Sequence, residues 1–367
     1  MAAPRVGFLL EQTLGHITHA DNLRQLVPTD ERIEAVFGPI EFAVDGLAAR
    51  LPGYRNWTVR AGIGARRALH AMRRSGPIDA VFVHTQVPAI LAADQLRRVP
   101  TVVSLDATPL QYDELGGPYG HGRSGRRSED LKWRLNRACF RRAAAIVTWT
   151  EWAKHGLVDG YGVTADKITV IPPGVDVGRW TSLDSERRSP EAGADRPVRV
   201  LFVGGDFQRK GGLVLLAAFT QLREAAVDIE LDIVTRDDPP PAAGVRVHRQ
   251  LGPNSPELMA LYREADVFCL PTFADMLPMV LSEAAIIGLP LVSTDIGAIS
   301  EVVQAERTGL VVPPGDAAAL AAALGRLAAD PGLRQEMGTA ARQFARIELD
   351  ARINARRLVD VLLSVAD

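Results

Sequence analysis

What most constrains this 367-residue chain is an alternation that runs through both of its halves. Short runs rich in Val, Ile and Leu are each followed by a longer stretch with helical spacing. In the first half the runs lie at 6–10, 33–37, 80–83, 101–105 and 145–148; in the second they lie at 198–203, 230–234, 245–249, 267–270 and 291–293. Apolar runs with little polar alternation suit strands covered on both faces, which predicts parallel sheets joined by crossover helices. One such helix is read at 63–74, where Ile63, Arg67, His70 and Met72 form an imperfect amphipathic face. Segment 181–197 is rich in Ser, Arg, Glu, Asp and Pro and reads as a solvated linker. The expected layout is therefore a first α/β domain over 1–180, the linker, a second over 198–345, and a terminal helix over 346–367. The helical tail starts near Ala340, and such a helix can return to the first domain.

Length and composition narrow the class. The chain is long enough for two cores, and 47% apolar with 23% charged residues is ordinary for a globular protein. A net charge of -2 provides no general affinity for nucleic acid, which is excluded as a partner. Cys139 and Cys269 are far apart among apolar neighbours, and buried reduced thiols are favoured over a disulfide or metal site. No stretch reaches the roughly 18 apolar residues of a spanning helix. The first residues run straight into a strand without the parts of a cleavable leader. A cytoplasmic protein is expected, with the inner face of the cell membrane as a further possible station.

Candidate chemistry sits where strands run into loops. The first strand leads through Gly15 and His16 into a helical pattern from Ala20, offering backbone N–H groups and a helix N-terminus to an anion. One glycine is a weak signal, and an ordinary strand-to-helix turn reads equally well. The stretch 198–212, VRVLFVGGDFQRKGG, carries a strand into Gly204 and Gly205, then Arg209 and Lys210, then a helix over 213–222. Glycines let the backbone approach a ligand, and the two cations suit a pyrophosphate. In the stretch 270–294 a loop carries Asp275, a helix begins near Pro278, and Glu283 lies about one turn inside it. Backbone N–H groups around Leu277–Val280, the stretch in which Pro278 and Met279 open the helix, then stand beside two carboxylates. Phosphate is suited to the amides, and sugar or ribose hydroxyls to the carboxylates. Glu283 lies among Val280, Leu281, Ala284 and Ile287, so burial with a functional partner is expected.

With Gly15 and the segments 166–176, 204–212, 275–283 and 294–303 with 308–310 in this order, the chain resembles glycosyltransferase family 4 over nearly its full length. The resemblance implies an α/β protein of the GT-B fold, two Rossmann-like domains with parallel sheets facing across a cleft. It implies a retaining transferase that takes a sugar from a nucleotide-diphosphate-sugar donor and needs neither cofactor nor metal. Gly15 would lie against the donor phosphates, Lys210 would neutralise the leaving pyrophosphate, Asp275 would meet the sugar and Glu283 the ribose. Thr235 and Leu258 fall at base-pocket positions, and Asp106 falls where many relatives carry a histidine near the sugar. His16 and His84 are candidates for the acceptor side or cleft, although a lone histidine such as His84 serves structural roles as often. Two departures stand out. Asp275 replaces the usual glutamate, and Gly205 replaces a common arginine, for which Arg209 is the inferred substitute. Same-face attack, with the departing phosphate taking the acceptor's proton, requires no protein nucleophile, and domain closure would bring Gly15 and Asp106 to the donor.

The acceptor is not legible. Arginines from Arg123 to Arg142 are interleaved with Leu131, Trp133, Leu135 and Phe140, a pattern that suits an anionic membrane surface or acceptor. A solvated helix with an apolar inner face fits it equally. Two rival functions stay open: a catalytically degenerate homologue that binds a nucleotide sugar or a partner subunit, and a nucleotide-sugar epimerase, for which no extra acid or base residues are identified.

Overall fold

The computed structural model describes residues 3–11, 16–40, 56–119, 125–181 and 196–366. Gly15, Arg123 and residues 182–195 of the linker reading lie outside the described residues. In chain order the first strands and helices are β1 (Arg5–Glu11), α1 (His16–Leu26), β2 (Glu34–Ile40), α2 (Trp57–Arg74) and β3 (Ala80–His84). Then come α3 (Gln86–Leu91), α4 (Ala93–Leu96), β4 (Thr101–Leu105), α5 (Pro109–Glu114) and α6 (Arg126–Arg142). They are followed by β5 (Ala145–Thr148), α7 (Glu151–Tyr161), β6 (Ile168–Val170) and α8 (Val177–Thr181). The later half runs β7 (Val198–Val203), α9 (Gly212–Glu224), β8 (Ile229–Val234), β9 (Val245–His248), α10 (Pro256–Glu264) and β10 (Val267–Leu270). It ends with α11 (Met279–Ile287), β11 (Leu291–Thr294), β12 (Gly309–Val312), α12 (Ala317–Ala329), α13 (Pro331–Glu348) and α14 (Ala351–Ala366). Contacts divide the chain into one unit of Met1–Glu114, Gly122–Pro173 and Ala351–Asp367, and another of Leu115–His121 and Gly174–Asp350.

The first unit is built on a parallel sheet of order β2-β1-β3-β4-β5-β6. Its strands lack polar alternation because helices cover both faces. Val6, Phe8 and Leu10 of β1 enter one core with Leu358, Val359 and Leu362 of α14, while Leu9 enters another with Leu69 and Met72 of α2. The helical tail is two helices rather than one: α13 stops at Glu348, and α14 restarts at Ala351 to pack on the first unit's sheet.

Two further readings need correction. α1 begins at His16, not Ala20. The buried face of α2 is Ala61, Gly62, Ala65, Leu69 and Met72, whereas Arg67 and His70 are exposed and Ile63 is half-buried. Small residues form that face because α3 packs close against it, with Leu91 over Gly62 where a Cβ would collide. A reading that weights large apolar side chains misses such a stripe.

The second unit carries a parallel sheet of order β12-β11-β10-β7-β8-β9. The chain leaves β7 for β8 and β9 on one side, then crosses to β10 on the other. Loops after β7 and β10 thus diverge at the strands' carboxyl edge, the place where open α/β sheets collect ligands. The same reversal occurs in the first unit between β1 and β3.

Candidate functional site

At the β7/β10 reversal the loop after β7 brings Arg209 and Lys210 to the loop after β10. The Lys210 ammonium pairs with Asp275 Oδ2, to which the Thr272 hydroxyl also donates at 3.3 Å. Arg209 donates from Nε to Asp206 Oδ2 at 3.0 Å and from Nη1 to the Ala274 carbonyl at 2.7 Å. Its Nη1 stands 3.9 Å from Asp275. Both cations predicted for a phosphate are therefore already held by protein oxygens. Arg209 in particular acts as a tie between the two loops.

The loop after β10 then enters α11. Pro278 is the N-cap, one residue before the helix, and no side chain caps the first turn. N–H groups there lack an intrahelical partner by construction and carry the positive end of the helix dipole. Leu277, Pro278 and Met279 are buried, so what they can offer a ligand is backbone. Gly288, with φ of 84°, closes the helix in the left-handed region, as the Gly-Leu-Pro punctuation anticipates.

Glu283 points into the second unit rather than to solvent, 4% exposed. Its Oε2 accepts a 2.8 Å hydrogen bond from the hydroxyl of Tyr262 on α10. Tyr262 is itself fixed, stacked on Phe268 at 5.6 Å and edge-on to Trp180 at 5.2 Å. Burial pushes the Glu283 carboxyl up to about 7, against the lowering effect of the Tyr262 hydrogen bond. Thr235 and Leu258, the base-pocket candidates, are buried; the Thr235 hydroxyl accepts from the Asp237 amide at 3.3 Å and shapes the turn after β8.

The first unit gathers a different set at its own reversal. His16 Nε2 meets Asp106 Oδ2 at 3.2 Å, and His16 Nδ1 stands 3.9 Å from Glu11 Oε1. The Thr85 hydroxyl donates to Glu11 Oε2 at 2.9 Å, linking the ends of β1 and β3. His84 stacks on Trp149 at 5.2 Å with 7° between the planes, while His16 and His19 approach its edge at 4.7 and 5.2 Å. Burial lowers the affinity of His16 for a proton, but the Asp106 hydrogen bond and the charges of Asp106 and Glu11 outweigh it and raise its pKa. Burial and the neighbouring His16 hold His19 down to about 3 and His84 well below its usual value. Of the three rings His16 therefore binds a proton most readily, and it stands beside two rings held neutral. Both ring nitrogens of His84, His19 Nδ1, Trp149 Nε1 and Ser104 Oγ have no hydrogen-bond partner among the described residues. Buried polar atoms in that condition are rare in folded proteins.

The structure thus brings together Arg209, Lys210 and Asp275 in one cluster and His16, His84 and Asp106 in another. Glu11, His19, Thr85, Trp149 and Tyr262 were not anticipated. No motif announces them, because they meet through sheet order rather than sequence spacing. Among the described residues, no group of three or more His, Cys, Asp or Glu has the arrangement of a metal site, and no helix is long and apolar enough to cross a membrane.

Two parallel α/β units, each with a polar cluster at its strand reversal, define the GT-B architecture. Residues 31–179 match Glycosyltransferase Family 4, and residues 197–330 match Glycosyl transferases group 1. The D-inositol 3-phosphate glycosyltransferase of Paenarthrobacter aurescens is 30% identical over 288 residues, covering 74% of this chain and 69% of that protein. That of Pseudarthrobacter chlorophenolicus is 34% identical over 213 residues, covering 54% of this chain; the chain spans about half (51%) of that relative's length. The crystal structure of Anabaena HepE in complex with UDP-glucose has the same fold, with a TM-score of 0.67 at 15% identity over 98% of this chain and 99% of that one. The chain belongs to the family 4 glycosyltransferases.

Proposed function

We propose that this protein transfers a sugar, with retention and without a metal ion, from a nucleoside-diphosphate sugar to an acceptor hydroxyl. The observation that carries this reading is the β7/β10 cluster: Lys210 paired with Asp275 beside the uncapped start of α11. A pyrophosphate entering there meets an ammonium and free amides, while Asp275 is released toward sugar hydroxyls and Glu283 holds the ribose. The bond from the anomeric carbon to the phosphate oxygen breaks as the acceptor oxygen attacks the same face. The departing phosphate oxygen takes the acceptor's proton, and Lys210 with the helix N-terminus stabilises the charge it has gained. No protein nucleophile enters this sequence. The histidine cluster of the first unit is assigned to the acceptor, since its unpartnered ring nitrogens suit hydroxyl groups.

UDP-glucose is the first donor to test, being the ligand of HepE, and an inositol phosphate the first acceptor, being named in the relatives' activity. Purified protein should release UDP from UDP-glucose faster when the acceptor is present. Saturable nucleotide binding without turnover across UDP-, GDP-, ADP- and dTDP-sugars would instead establish a binding protein.

A lipid surface is the further partner we propose. The outward face of α6 carries Arg126, Arg127, Arg134, Arg141 and Arg142, all exposed, around Leu131 and Leu135, which are 58% and 44% exposed. Trp133 and Phe140 supply the inner apolar face instead. Guanidinium groups around two protruding leucines complement anionic headgroups over an acyl boundary. Sedimentation with phosphatidylglycerol vesicles, but not phosphatidylcholine vesicles, is expected, and equal sedimentation with both would remove the proposal.

A further inference from the structure

β7 and β8 are neighbours in register, Val203 opposite Val234, so their carboxyl-end loops start side by side. Gly205 follows on one strand and Arg236 on the other. A Cβ placed on Gly205 would stand 2.9 Å from Arg236 Nη2, 3.0 Å from Nε and 3.3 Å from Cζ. The guanidinium of Arg236 therefore lies in the space that a side chain at 205 would occupy. It makes no hydrogen bond or ion pair among the described residues, and it is exposed.

Every other charged group at this corner, among the described residues, is engaged. Arg209 is bound to Asp206 and the Ala274 carbonyl, and Lys210 to Asp275. Asp237 accepts from the Phe207 amide at 2.7 Å, and Asp238 pairs with Arg249. Among the described residues, Arg236 is the uncommitted cation beside the Gly204–Gly205 turn.

We propose that Arg236 is the phosphate-binding arginine of this protein, reaching from β8 across the bare backbone of Gly205. This rests on the reading of the β7 loop as the pyrophosphate site. It replaces Arg209 as the substitute for the side chain missing at 205, because Arg209 is consumed in tying the loops together. A guanidinium fork matches two phosphate oxygens at once, which an ammonium cannot do. Gly205 then has a reason beyond turn geometry: any side chain there displaces the guanidinium.

Inorganic pyrophosphate is the probe, titrated by calorimetry into the wild-type protein and variants checked for unchanged thermal melting. Arg236→Ala should weaken binding by about tenfold, and Arg236→Lys by less, since charge without the fork is retained. Gly205→Ala, which leaves every charge in place, should weaken it by roughly threefold through displacement alone. Arg236→Ala combined with Gly205→Arg should restore affinity, with the guanidinium now supplied from the neighbouring strand. If Lys210→Ala weakens pyrophosphate binding and Arg236→Ala does not, Arg236 has no such role. If neither variant weakens it, the phosphate site itself is misplaced.

Discussion

At the β1/β3 reversal of the first unit the loops present Glu11, His16, His84 and Thr85; at the β7/β10 reversal of the second they present Arg209, Lys210 and Asp275. Both sheets reverse strand order beside the first strand of their unit, with one strand beyond it in the first unit and two in the second. The chemistry does not repeat. One corner is built of two neutral rings beside His16, the ring that binds a proton most readily, and carries several buried polar atoms with no hydrogen-bond partner among the described residues. The other is built of fixed charges already matched to each other. Groups without partners suit a ligand that offers hydroxyls, whereas matched charges suit a ligand that exchanges one anion for another. Topology fixes where a ligand can sit, and the loop residues fix which half of a reaction it belongs to.

Five substitutions put this division to the test. The largest effect is expected from Lys210→Ala, which should lower kcat by on the order of 100-fold through lost leaving-group stabilisation. His16→Ala should leave nucleoside-diphosphate affinity within about twofold of wild type and raise the KM for acceptor. Parallel loss of nucleotide binding in both variants would break the comparison.

Asp275→Asn should act in opposite directions on binding and turnover. Without its carboxylate, Lys210 meets an incoming diphosphate unopposed, so nucleoside-diphosphate affinity should rise by roughly fivefold while kcat falls by about tenfold. Calorimetry and a transfer assay on one preparation read both signs.

Glu283 connects function to stability. Its usual value of 4.5 rises to about 7 in the fold, so the folded protein binds the proton more tightly than the unfolded chain. Stability therefore falls as pH rises from 4.5 to 7 and levels off above. The shift corresponds to about 3 kcal/mol. Glu283→Gln should match wild type in melting temperature near pH 4.5 and exceed it by a few degrees at pH 8, while ribonucleotide affinity drops. A pH-independent difference would mean that the carboxyl is not the buried titrating group.

The smallest effect belongs to His16 and Asp106, whose side chains are 17% and 20% exposed. Since the folded protein raises the His16 pKa, the stabilisation is full below 6.5 and is lost as pH rises through the folded value. Asp106→Asn should lower the melting temperature at pH 5.5 by an amount equivalent to about 1 kcal/mol or less, shrinking toward pH 8.5.

Much of the fold was legible because buried parallel strands declare themselves as apolar runs: 101–105, 145–148, 198–203 and 267–270 coincide with observed strands. β6 and β12 escaped as strands, β6 being only three residues long and β12 opening on a glycine, which weakens a strand pattern. Of the second unit's cluster, Lys210, Asp275 and Glu283 could be named from loop and helix signals. Arg236 and Tyr262 could not. Each acts on a residue more than twenty positions away, across a strand register or a helix contact that local pattern does not encode. The histidine cluster is the same case, since His16, His19 and His84 converge only once β1 and β3 are paired.

The return of α14 also sets an order of assembly. Leu358, Val359 and Leu362 are at most 3% exposed in the first unit's core, and each contributes about 1.5–3 kcal/mol by burial. On a chain emerging from its N-terminus, the first unit must wait for the last residues before its sheet is covered on both faces. The second unit, contiguous from Gly174 to Asp350 apart from a short earlier segment, is almost complete before those residues exist. The part of the chain made first is thus the part finished last, and a nascent chain cut short near residue 350 holds nearly all of the second unit while leaving the first with an open apolar face.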